Sequence, residues 1–130
     1  MPQMQSHDRL RKNVFVGPRR TSVSLEIQVW DALDDVCFRE EVTLDEICSD
    51  INRRRLSSSM SSSLRMFLLI YYRYMAEVMQ RQRRTRPSGL GQRRQTLFPS
   101  AYDVALDRFA AEQRAHLDLS LIHISEPTRR

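Results

Sequence analysis

The stretch Arg20-Thr21-Ser22-Val23-Ser24-Leu25 alternates two kinds of side chain. As a strand it puts Thr21, Val23 and Leu25 on one face and Arg20, Ser22 and Ser24 on the other. The second face carries the hydrogen-bonding groups that read base edges in duplex DNA. Arg bridges guanine O6 and N7, and Ser donates to or accepts from several bases. An ordinary solvated strand face has the same alternation, so the surrounding elements decide between the two.

Charge favours a polyanionic partner. The 130 residues carry 21 bases, of which Lys12 is the one that is not Arg, and the formal net charge is +5. The isoelectric point is about 9.9 and the mean hydropathy −0.52. The sign is segregated. Residues 1–25 hold Arg9, Arg11, Lys12, Arg19 and Arg20 against Asp8, and residues 26–50 hold nine acids against Arg39. Residues 80–95 hold six Arg and no acid. Arg19, Arg81, Arg83 and Arg84 are candidates for phosphate contacts, which add affinity and salt dependence without sequence preference. The same Arg run also reads as a solvated linker.

Other chemistry finds no support. Cys37 and Cys48 fall on apolar stripes and read as small buried hydrophobes. His7, His116 and His123 stand apart, so no metal or other cofactor is expected. None of the serines belongs to a nucleophile motif, and no enzyme is expected. The longest apolar run, Met66–Tyr72, is seven residues between Arg65 and Arg73, too short for a bilayer. The first twelve residues lack the apolar stretch of a secretory signal, and a cytoplasmic location is expected.

The elements that would position these groups follow from periodicity. Residues 1–12 are polar and unpatterned and are expected to be a disordered arm. Lys12–Val16 is a candidate short strand stopped by Gly17-Pro18. After the strand at 20–25 the period turns helical. Trp30, Leu33 and Cys37, with Val29 and Val36, predict a helix from about Ile27 to Glu40, with Trp30 in the core. Thr43 and Glu46 form a capping box for a second helix carrying Leu44, Ile47, Cys48 and Ile51, which ends near Arg53–Arg55. Residues 57–63, serine everywhere but Met60, mark a loop and a helix start. A third and longest helix, Leu64–Met79, is apolar nearly all round at its middle and needs partners on more than one side. An Arg-rich linker over 80–98 and a short amphipathic helix over 99–118 follow, the latter with Tyr102, Ala105, Leu106 and Phe109 on one face.

The expected fold class is mainly α with one short β-strand. A single strand has no ladder partner, and its backbone groups must be satisfied. Pairing with the same strand of a second chain solves this. The result is an intertwined homodimer whose two-stranded ribbon fits the major groove.

These residues resemble a known family. The run Gly17-Pro18-Arg19-Arg20-Thr21-Ser22-Val23-Ser24-Leu25-Glu26, then Trp30, Ala32 and Leu33, then Thr43-Leu44, then Ser61-Ser62-Ser63-Leu64-Arg65, is similar to a short bacterial branch of the ribbon-helix-helix (Arc/MetJ-like) DNA-binding proteins. The likeness covers roughly residues 12–74. It implies a homodimeric ribbon-helix-helix fold, here with an extra long third helix. It also implies base contacts from Arg20, Ser22 and Ser24, and a phosphate at Thr43 and Leu44, the start of the second helix. The family's interhelix turn usually contains Gly, where this chain reads Glu40-Glu41-Val42.

The expected function is sequence-specific binding of double-stranded DNA, as a transcriptional regulator. The alternative is a protein-interaction module, such as an antitoxin of the same fold, that captures a protein partner through its C-terminal helices. Tyr71, Tyr72 and Tyr74 are candidates for that docking. Residues 119–129, LSLIHISEPTR, resemble the in-frame translation of a transposase adapter used to prepare sequencing libraries. Residues 119–130 are therefore expected to be an artefactual tail, with the natural C-terminus missing.

Overall fold

A computed structural model describes residues 9–84 and 100–125. Residues 1–8 of the expected arm, 85–98 of the expected linker, residue 99 and the last five residues of the expected tail lie outside the described residues.

The chain opens with a hairpin, β1 (Arg9–Val16) and β2 (Arg19–Glu26), paired antiparallel. This corrects the expectation of one strand zipped against a twin. The ladder partner of β2 is in the same chain, and residues 9–12, expected in the arm, belong to β1. Two residues make the turn. Gly17 has φ +63°, and Pro18 has a fixed negative φ, the sign pattern of a type II′ turn that suits the twist of a hairpin.

Four helices follow: α1 (Ile27–Glu40), α2 (Leu44–Arg54), α3 (Met60–Arg84) and α4 (Ala101–Ser125). The first matches its expected bounds. It buries Trp30, Leu33 and Val36 and ends on Glu41, whose φ of 57° is left-handed. Its terminal carbonyl at Cys37 accepts from the Val42 N–H at 3.1 Å. At the start of α2 the capping box is present. The Glu46 N–H donates to Thr43 Oγ1 at 3.0 Å and the Thr43 N–H to Glu46 Oε1 at 2.8 Å. Cations Arg53 and Arg54 close its last turn, at the negative end of the helix dipole.

Helix α3 starts four residues earlier and ends five residues later than the Leu64–Met79 span predicts. Ser59 explains its start. Its hydroxyl accepts from the Ser62 N–H at 3.1 Å, satisfying a donor the helix leaves open. Ser100 does the same for α4 through the Asp103 N–H at 3.0 Å.

One core joins the elements. Val14, Val23 and Leu25 of the hairpin meet Trp30, Leu33 and Val36, then Ile47, Cys48 and Ile51, then Leu64, Phe67, Leu68 and Tyr71. The expected face of the last helix, Tyr102, Ala105, Leu106 and Phe109, is buried in the same core. Gln113 is buried too. Its side-chain oxygen accepts from the Leu56 N–H at 2.8 Å and the Ser58 hydroxyl at 3.2 Å, so α4 closes over the loop between α2 and α3. The tyrosines considered for docking a partner are engaged within the chain. Tyr71 is fully buried and donates to Glu40 at 2.7 Å. Arg39 lies over the Tyr72 ring and Arg108 over the Tyr74 ring.

Candidate nucleic-acid interface

The register of the hairpin decides which side chains face out. Residues directly opposite in an antiparallel pair point to the same side. Lys12 lies opposite Val23, Val14 opposite Thr21, and Leu10 opposite Leu25; this side packs on the helices. The other side carries the pairs Phe15–Arg20, Asn13–Ser22, Arg11–Ser24 and Arg9–Glu26. Arg20 and Ser22 are exposed and Ser24 is half-buried, all three on the outward face that the alternation assigns them. Arg11, Asn13 and Phe15 are exposed beside them. Arg11 lies outside the expected Lys12–Val16 strand, and Asn13 and Phe15 come to this face only through the pairing of that strand with β2.

The hairpin is fastened along its edges and its other face, and on this face at the Glu26 end. Trp30 Nε1–H donates to the Leu10 carbonyl at 2.8 Å, and the Lys12 ammonium sits 5.0 Å from the centre of the Trp30 ring. The free edge of β1 meets α2: the Phe15 N–H donates to Asp45 at 2.9 Å and the Gly17 N–H to the Ser49 hydroxyl at 3.0 Å. Ser61, at the start of α3, donates to the Ser24 carbonyl at 3.2 Å. At the far end Arg65 holds Glu26 through both carboxylate oxygens, and Arg9 lies 3.7 Å from the same group. Glu26's own backbone hydrogen bond, then Arg65, hold its carboxyl below the usual range. The one acid of the hairpin is thus neutralised, while Arg11, Arg19 and Arg20 remain exposed.

A two-stranded antiparallel ribbon, two helices joined by a short turn and a capped second helix are now in place. A family model, the ribbon-helix-helix domain, matches residues 10–72. Residues 10–72 belong to the ribbon-helix-helix family. The match takes in the hairpin apart from Arg9 and ends within α3, whereas α4 lies beyond it. Ribbon-helix-helix domains are generally DNA-binding transcription regulators or antitoxins. They typically bind DNA as dimers and are typically not enzymes. No curated protein and no solved structure matches the chain.

Of the remaining site candidates, the start of α2 lies beside the hairpin, where Asp45 receives the Phe15 N–H, and the Arg cluster of α3 stands away from it. Thr43 caps α2, but its N–H and its hydroxyl are both used in the box, and Asp45 and Glu46 occupy the first turn beside Leu44. A phosphate there gains from the helix dipole and loses to two carboxylates. Arg81, Arg83 and Arg84 stand in the last turn of α3. Arg65 meets the ribbon at the other end of this helix. At 1.5 Å per residue the cluster begins about 24 Å further along the helix axis.

Cys48 is buried, and burial, reinforced by Asp45 and Cys37, pushes its thiol up to about 12. Such a thiol is inert. Among the described residues no group of three or more His, Cys, Asp or Glu is placed to hold a metal ion. Among them, too, no helix is long and apolar enough to cross a membrane.

Proposed function

We propose that the chain is a sequence-specific DNA-binding protein and transcriptional regulator that lays its hairpin ribbon in the major groove. Arg20, Ser22 and Ser24 contact bases. Arg19 at the turn and Arg81, Arg83 and Arg84 at the end of α3 contact phosphates, with a minor share from the α2 start at Thr43 and Leu44. It works as a homodimer on two-fold-related half-sites, in keeping with its family, each copy presenting its own hairpin.

One observation carries this reading. Among the described residues nothing packs over Arg20 and Ser22 on the exposed face of the hairpin, while the opposite face and both edges are tied to the helices. That is the arrangement of a rigid platform with a free basic face. Strands about 4.8 Å apart fit a groove about 12 Å wide.

Selection of bound duplexes from a random pool tests it, with sedimentation of the protein alone and on a selected duplex. A recovered palindrome bound by two copies supports the reading. A pool that stays random through successive rounds overturns it.

A further inference from the structure

We propose that β1 is a second reading strand, with Asn13 recognising an adenine and Phe15 the methyl group of a thymine, next to the guanine taken by Arg20. The inference rests on the reading of the ribbon as the DNA-contacting surface.

Three observations support it. First, the pairing is direct: Phe15 lies opposite Arg20 and Asn13 opposite Ser22. Cross-strand partners are about 5 Å apart on one face, so a surface that brings Arg20 and Ser22 to base edges brings Phe15 and Asn13 there as well. Second, Phe15 is 47% exposed and points away from the core. The hairpin has apolar positions available underneath, where Val14 is buried to 1%. The phenyl ring stands outside the core, at the rim of a hollow that Val42, Asp45 and Ser49 also line. Third, the side-chain types are complementary to base chemistry. An Asn amide donates to and accepts from adenine N7 and N6 in one plane, and an apolar ring packs on the thymine C5 methyl. Together with Arg11, opposite Ser24, they double the recognition groups of each hairpin. Two serines and one arginine alone make a thin code.

The backbone keeps this row in place without using the side chains. The Phe15 N–H is held by Asp45, so truncating the ring leaves the strand anchored. Asn13 is exposed, opposite Ser22 on the outward face.

The test uses the full chain and a duplex selected by the wild type. Asn13→Ala should lose preference at one adenine by about five-fold or more, and Phe15→Ala at one thymine by a similar factor. The thymine is then replaced by deoxyuridine, which lacks only the methyl. The wild type should bind that duplex more weakly, and Phe15→Ala should bind both equally. Melting curves verify that each variant is folded. If Arg20→Ala shifts the selected sequence while both β1 variants keep the wild-type preference, or weaken all duplexes alike, this inference falls and the DNA reading stands. If the wild type selects no sequence at all, both fall.

Discussion

The indole N–H of Trp30 donates to the carbonyl of Leu10 at 2.8 Å, tying the first helix to the outer strand of the hairpin. Twenty residues separate the two groups. The bond adds to the ladder with β2 and the Arg9–Glu26 ion pair in holding the start of this strand. The same ring carries the Lys12 ammonium above it. Trp30→Phe keeps most of the apolar volume and removes the donor. A half-buried carbonyl then loses its partner, and stability should drop by about 1–2 kcal/mol in urea unfolding. Amide exchange should speed up in residues 9–13 before it does in α2. Equal protection across the hairpin in the variant would show that the bond is not what holds β1.

The turn between α1 and α2 offers a gain. Glu41 takes φ 57°, a left-handed conformation in which a side chain is strained. Glycine is the residue that closes a helix this way at no steric cost. Glu41→Gly should raise stability by about 0.5–1 kcal/mol, after allowing for the greater freedom of glycine in the unfolded chain. Thermal melts at neutral pH measure it, and a lower midpoint would contradict the strain argument.

Much of this architecture was legible and some was not, for physical reasons. β2 alternates cleanly because Val23 and Leu25 go into the core while Ser22 and Ser24 stay out. β1 hides its alternation at two places. Lys12 points inward, where its ammonium meets the Trp30 ring. Phe15 points outward although it is apolar. A pattern search that sorts by hydropathy reads both positions with the wrong sign, and so the partner of β2 was sought in another chain. The capping box at Thr43 and Glu46 depends on four consecutive residues and needs no tertiary context. Gln113 is the opposite case. Its burial makes sense only once the Leu56 N–H is beside it, across a separation no local pattern spans. The alternation of β2 is enough to place Arg20, Ser22 and Ser24 on the outward face, whereas Arg11, Asn13 and Phe15 join them only through the register.

Two phenols make the fold sensitive to alkali. Tyr102 is pushed up from the ordinary value of 10.0, first by burial and then by its hydrogen bond to Asp50. Tyr71 moves the same way, through burial and then Glu40. Each folded phenol keeps its proton at a pH where the unfolded chain has lost it. Above about pH 10 the native state therefore binds more protons than the unfolded one, and stability falls as pH rises. Below that value the contribution is fully present. Tyr102→Phe removes the hydrogen bond at 2.6 Å and should cost about 1.5 kcal/mol at neutral pH. It should also make the decline between pH 10 and 11.5 shallower. A decline as steep as that of the wild type would assign the alkaline loss to other groups.

The Arg cluster at the end of α3 and the ribbon should act separately on DNA. Arg83 lies eighteen residues beyond Arg65, the residue that grips Glu26 at the ribbon; this is about 27 Å along the helix. That length corresponds to about eight base pairs at 3.4 Å each. Replacing both Arg83 and Arg84 by Ala should weaken binding to all sequences alike and lower the slope of log K against log salt by about 0.9 per lost contact. The effect should appear only on duplexes that extend about eight base pairs beyond the site occupied by the ribbon. Arg20→Ala should relax sequence preference on short and long duplexes equally, because its guanine contact sits inside the groove. Titrations in two salt concentrations on two duplex lengths separate the cases. A length-independent loss in the double variant would place the end of α3 next to the ribbon's own phosphates, against the span of the helix.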